Sequence, residues 1–169
     1  MLINVAAIRR AENGTGTFDL QKDFSQVSTR LEGVVFVAPV HVKIQVDNSG
    51  DSLLVRGQIK SELDVQCDRC LTAFRYPVHI DYEDEWIYAP QATEEQSETA
   101  LIFDKDDIDL TERIYEQIIL EFPMRFICSP QCKGLCSSCG ENLNQKSCDC
   151  VQDDIDPRLA ALAKWPRED

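Results

Sequence analysis

Histidine is almost absent from this chain: His41 and His79 are the only two in 169 residues. Zinc enzymes usually draw on imidazole or carboxylate ligands and keep one coordination position open, so the scarcity argues against a catalytic zinc. Both histidines fall on the polar side of an alternating pattern, His41 between Val40 and Val42, His79 between Val78 and Ile80. Each reads as a solvated strand residue. No His-Glu-x-x-His motif, glycine-rich phosphate loop or nucleophile elbow occurs, so the expectation is a protein that is not an enzyme, with no small-molecule substrate. No run of 18 apolar residues is present, and the apolar stretch in Met1–Arg10 is short, with its basic pair after it. No transmembrane helix and no signal peptide are expected. Basic residues are scarce too: 17 Lys and Arg against 30 Asp and Glu give a net charge of −13.

That charge excludes a general affinity for nucleic acid, which is built from Lys and Arg contacts to phosphate. Any RNA contact has to be local, and a basic protein partner suits the charge better. Acidity that serves only solubility is the plain alternative. The length suits one domain, or one domain with a small appended module, and the 43% hydrophobic share is enough for a core.

What is abundant is cysteine, with eight residues in four close pairs: Cys67/Cys70, Cys128/Cys132, Cys136/Cys139 and Cys148/Cys150. The expected compartment is the cytoplasm, where such pairs bind metal or do redox work more often than they form structural disulfides. Cys136-Ser-Ser-Cys139-Gly140 is a knuckle signal, two thiols followed by a glycine that permits the turn. With Cys148 and Cys150 it completes a local four-sulfur site. Cys67, Cys70, Cys128 and Cys132 are left over, and the economical reading joins them in a second site. Two structural Zn²⁺ ions are the expectation. Disulfides, an iron–sulfur cluster and a redox pair at Cys67 and Cys70 are the alternatives.

Periodicity places these pairs on the chain. Leu2–Ile8 reads as a first strand, Gly14-Thr15-Gly16 as a turn, and residues 18–32 show no clear period. Val40, Val42, Ile44 and Val46 alternate with polar residues, as do Leu53 to Val65 and Phe74 to Tyr82, with a turn cluster at 47–51. These predict an antiparallel meander with Cys67 and Cys70 at a strand-to-strand turn. Residues 81–112 are strongly acidic, and Ala89–Thr99 reads as a mobile loop or a docking site for a basic partner. Asp109 and Glu112 resemble a capping box for a helix with Leu110, Ile114 and Ile118 on one face, ended by Pro123. Asp156-Pro157 opens a last short helix edged by Leu159, Leu162 and Trp165. The fold class is α+β: an antiparallel sheet with one packed helix over residues 1–122 (acidic loop about 83–108), a zinc-knuckle module over 123–150, and a short packed helix over 151–169. Around the cysteines, Arg69, Arg125, Lys133 and Lys146 are the bases available for RNA or partner contact, or are ordinary surface charges.

The order of motifs resembles the YceD family, the bacterial large ribosomal RNA subunit accumulation proteins. The resemblance lies in Cys67-Asp-Arg-Cys70-Leu71 after a long strand, then Leu120-Glu121-Phe122-Pro123-Met124, Cys128 to Cys132, and Lys133-Gly134-Leu135-Cys136. It continues through Cys139-Gly140, Asn142-Leu143-Asn144, Cys148 to Cys150 and Asp156-Pro157-Arg158-Leu159. It implies a role in the synthesis, processing or stability of large-subunit (23S) ribosomal RNA, without catalysis. Joined with the charge, it makes a ribosomal protein or another assembly factor the expected partner. A thiol–disulfide or metal-handling enzyme using Cys67 and Cys70, and a zinc-ribbon transcription accessory protein, are the other readings.

Overall fold

The computed structural model describes residues 1–25, 33–94 and 96–150. The expected last helix, with Asp156, Leu159, Leu162 and Trp165, lies outside the described residues. The chain forms two compact units, one of Met1–Gln66 with Ala73–Phe126, the other of Cys67–Thr72 with Ile127–Asp169.

The first unit is α+β. Its strands are β1 (Leu2–Asn4), β2 (Thr15–Lys22), β3 (Val34–Phe36), β4 (Val40–Asn48), β5 (Leu53–Gln66), β6 (Ala73–Tyr88), β7 (Leu101–Phe103) and β8 (Asp107–Asp109). Its helices are α1 (Ala6–Arg10) and α2 (Thr111–Leu120). The main sheet runs β2-β4-β5-β6-β7; β4 pairs with the first half of β5 and β3 with the second half. β5 and β6 form a long antiparallel ladder from Leu53↔Trp86 to Gln66↔Ala73. The two-residue period decides which side is buried. Val42, Ile44, Ile59, Leu63, Ile80 and Trp86 sit in the core, while His41, Lys43, Arg56, Lys60, His79 and Asp81 face outward. Ile114 and Ile118 of α2 join the same buried cluster, so the helix packs its apolar stripe on the sheet.

Gly57 is needed where β5 passes against β4. A Cβ there would lie 2.0 Å from the Lys43 carbonyl oxygen and 2.7 Å from Ile44 Cα.

Several expectations are corrected. Leu2–Ile8 is not one strand: the Asn4 side chain accepts from the Ala6 N–H at 3.1 Å, and α1 starts there. Thr15 and Gly16 are not in the turn, which falls at Ala11–Gly14, closed by Gly14 N–H to Ala11 C=O at 3.0 Å; they open β2. The sheet is not wholly antiparallel, because β7 pairs in parallel with the end of β6. The acidic stretch read as a loop carries the end of β6, two 3₁₀ turns (Ala89–Gln91 and Gln96–Glu98), β7 and β8. The N-cap of α2 is Leu110, without a side-chain cap hydrogen bond. Asp109, one residue earlier, accepts from the Thr111 N–H at 2.9 Å.

Many acids of that stretch are engaged inside the unit. Asp106 pairs with Arg9 and Arg10 at 2.8 and 2.9 Å, and Asp107 accepts from Asn4 at 2.7 Å. Asp84 points inward, its side chain 4% exposed. It accepts from Tyr82 Oη (2.7 Å), Trp86 Nε1 (3.1 Å), and Arg113 Nε and Nη2 (3.0 and 2.9 Å). Burial, with the neighbouring Asp84 carboxylate, pushes the Tyr82 phenol up, so this hydroxyl stays a donor.

Candidate metal centres

The two Cys-x-x-Cys turns adopt the same backbone. In the first, Cys67 N–H donates to Thr72 C=O (3.0 Å) and Leu71 N–H to Cys67 C=O (2.9 Å). In the second, Cys136 N–H donates to Glu141 C=O (2.8 Å) and Gly140 N–H to Cys136 C=O (2.9 Å). Both turns need a left-handed residue after the second cysteine. Gly140 has φ +72° and Leu71 has φ 57°. A leucine takes that conformation at a cost of about 1–2 kcal/mol, which glycine does not incur.

This turn aims backbone N–H groups at the leading sulfur. Ser138 N–H lies 3.4 Å from Cys136 Sγ; from outside the first turn, Cys128 N–H also donates to Cys67 Sγ at 3.4 Å. Burial alone would push the Cys67 thiol up, but the N–H groups of Cys128, Arg69 and Cys70 bring it down to about 6. The N–H groups of Cys139 and Ser138 bring Cys136 to about 6 as well.

The structure brings the thiols into two sets of four. Cys67, Cys70, Cys128 and Cys132 form one, here called the joint tetrad; Cys136, Cys139, Cys148 and Cys150 form the other, the local tetrad. Within each set the sulfurs all lie within 4.8 Å of one another. Cys67 and Cys132 Sγ are 3.9 Å apart, and Cys70 and Cys128 Sγ 3.7 Å. A tetrahedral ion with Zn–S bonds of about 2.3 Å sets its sulfurs about 3.8 Å apart. A disulfide needs about 2.0 Å, and all eight cysteines are free thiols. Sulfurs at this spacing fit around one ion and leave no space for a multi-iron cluster.

The electrostatics agree with a cation-shaped demand. While Cys67 and Cys136 are drawn down, Cys128 is pushed up to about 12 by local desolvation of its sulfur and by the Cys67 and Cys132 sulfurs. Cys150 is pushed up to about 12 by its contact with Cys139 and by local desolvation of its sulfur. The sulfurs of each set thus work against one another's ionisation, and a dication at the centre would let all four ionise. The donors fit a metal, and with sulfur in all four positions the sites suit a scaffold better than a reaction. Cys67 (0% exposed) and Cys70 (4%) are buried, whereas reactive thiol pairs are usually partly exposed.

The bases singled out above divide between the units. Arg69 donates to the Cys132 carbonyl at 3.3 Å, so it braces the joint tetrad. Lys146 reaches Glu141 at 4.0 Å, Lys133 is exposed, and Arg125 is exposed in the first unit. Asn144 was missed by spacing arguments: its Nδ2 donates to Cys132 Sγ at 3.3 Å. No cysteine-spacing rule flags an amide eight residues past Cys136.

Residues 55–165 match the family described as large ribosomal RNA subunit accumulation protein YceD. The chain belongs to the YceD family. It is 29% identical over 153 residues to the uncharacterized protein YlbN of Bacillus subtilis (strain 168), covering 90% of this chain and 88% of that protein. It is 30% identical over 130 residues to the uncharacterized protein Rv2926c of Mycobacterium tuberculosis (strain ATCC 25618 / H37Rv), covering 75% of this chain and 62% of that one. An Arabidopsis thaliana relative is named large ribosomal RNA subunit accumulation protein YCED homolog 1, chloroplastic. It is 34% identical over 83 residues, 49% of this chain and 22% of its own length. The YceD match takes in both tetrads, β5 from Val55 onward, β6 and α2. No solved structure matches the chain. Among the described residues, no helix is long and apolar enough to cross a membrane.

Proposed function

We propose that this chain is a non-enzymatic ribosome-biogenesis factor. It supports the synthesis, processing or stability of large-subunit (23S) ribosomal RNA in the cytoplasm, with each tetrad holding one Zn²⁺. The observation that carries this is the family match over residues 55–165. The all-sulfur sites support a scaffolding role for the metal, since no ligand position is open for substrate. The net charge of −13 supports contact through a basic ribosomal protein or assembly factor. A surface suited to it lies on α2, where Glu112, Tyr115, Glu116, Ile119 and Leu120 line a groove of about 320 Å³. Its apolar floor flanked by carboxylates is matched by a segment with one apolar side chain between Lys or Arg.

Three measurements test this. Elemental analysis of the native protein gives two zinc ions per chain, and one in Cys67→Ser/Cys70→Ser; two ions with unchanged affinity in that variant would remove the joint site. Depleting the protein lowers 23S relative to 16S ribosomal RNA; an unchanged ratio would remove the biogenesis role. Capture of naked rRNA by the purified protein at physiological salt would refute the protein-mediated version.

A further inference from the structure

The loop between the two cysteine pairs of the local tetrad, residues 140–147, carries two asparagines that turn to the other tetrad. Asn144 Nδ2 donates to Cys132 Sγ at 3.3 Å, and Asn144 Oδ1 accepts from the N–H of Lys133, the next residue, at 2.8 Å. Asn142 Nδ2 donates to the Cys70 carbonyl at 3.4 Å and to the Thr72 hydroxyl at 3.1 Å. That hydroxyl lies 3.4 Å from Cys70 Sγ. The asparagines also hold each other, since Asn142 Oδ1 accepts from both Asn144 N–H and Nδ2 at 3.0 Å.

The loop is fixed from behind by the segment that links the tetrads. Leu143 N–H donates to Gly134 C=O at 3.0 Å, and Leu135 pairs with Asn142 as an isolated bridge. Leu135 N–H in turn donates to Arg69 C=O at 3.1 Å. Gly134, at φ +77°, has no space to spare: a Cβ there would lie 3.1 Å from the same Arg69 oxygen.

We infer that the 140–147 loop couples the two metal sites, with Asn142 and Asn144 as positioning residues for the joint one. This rests on the reading of the tetrads as metal sites. An ion in the local tetrad ties down both ends of the loop, at Cys139 and Cys148. The loop then presents a neutral N–H donor to Cys132 and holds the Cys70 turn. A neutral donor suits this place: it stabilises a thiolate, carries no charge to compete with the ion, and has no proton to lose. Coupling of this kind is reciprocal, so an ion in the joint tetrad favours filling of the local one by the same factor.

The test uses the full chain loaded with ¹¹³Cd²⁺, whose resonances separate the two sites, and a chelator competition that gives each affinity. Asn144→Asp keeps the oxygen that accepts from Lys133 but replaces the sulfur donor with a carboxylate. It shifts the joint-site resonance and weakens that site about tenfold or more, the usual scale for outer-shell partners. Asn144→Ala weakens it less. A role limited to holding the loop reverses that order, because Asp keeps the Lys133 bond and Ala does not. Cys148→Ser/Cys150→Ser leaves all four joint sulfurs and still lowers joint-site affinity about tenfold or more. Wild-type joint-site affinity in both Asn144→Asp and the double serine variant overturns the coupling alone. A wild-type chain that takes up no cadmium overturns the metal reading, and the coupling with it.

Discussion

Asp84→Asn tests the inward carboxylate of β6, where the substitution keeps the shape and removes the charge. In the native unit the carboxylate accepts two bonds from Arg113, one from Tyr82 and one from Trp86, and Glu85 N–H adds another at 3.0 Å. An asparagine amide presents hydrogens where at least one of these donors now points, and Arg113 loses its counter-charge. Breaking a buried ion pair from one side costs about 3–5 kcal/mol. Arg113 is 32% exposed and also donates to Thr99 C=O at 3.0 Å, so water and that carbonyl recover part of the loss. The expected cost is therefore at the lower end, about 3 kcal/mol. Urea unfolding of the zinc-saturated protein, followed by far-UV circular dichroism, measures it. Asp84→Leu/Arg113→Leu, which removes both charges, falls well short of the sum of the single changes. A cost under about 0.5 kcal/mol for Asp84→Asn, the range of an ordinary surface change, would refute the reasoning.

Three further outcomes are expected. Asp109 accepts from Thr111 and from the Met1 ammonium, which hold its carboxyl well below the model-peptide value of 3.8. Since the folded form is the more acidic, the stabilisation is full above about pH 4 and fades as pH falls. The gap in unfolding free energy between wild type and Asp109→Asn closes below that pH, and a gap that widens in acid would contradict the sign. Gly140→Ala lowers stability or local-site metal affinity by about 1 kcal/mol through its left-handed φ alone, since nothing lies within 4 Å of the added Cβ; a chelator competition reads it. Gly57→Ala costs about 3 kcal/mol or more, because the Cβ meets backbone and not a movable side chain; thermal unfolding near wild type would show that β4 can yield.

The sheet was legible because alternation in Val40–Val46, Leu53–Val65 and Phe74–Tyr82 reports directly which side is wet. The same rule misses β7 and β8, three residues each, too short to show a period. It also hides Asp84, which occupies a core-facing position on β6 between Tyr82 and Trp86 and is paid for by Arg113 from a helix 29 residues away. Spacing marked the local set because its knuckle is a local turn, and count alone left the other four sulfurs, which the structure also brings together. Asn142 and Asn144 stood in the family motif, but their role was not legible, since their partners Cys70 and Cys132 are set by three-dimensional folding. The left-handed conformation of Leu71 was not legible because such a turn is advertised by glycine, and here leucine takes it.

The joint tetrad has a topological consequence. Its ligands come from both sides of a long stretch: Cys70 and Cys128 are 58 positions apart, and β6, β7, β8 and α2 all lie between them. An ion held by both pairs closes that stretch into a ring, which an unfolded chain cannot open without releasing the metal. By the loop-entropy relation used for cross-links, a ring of this size removes about 4 kcal/mol of disorder from the denatured chain. Stripping the ion would thus loosen strands and a helix that hold no ligand, by giving the unfolded chain back its freedom.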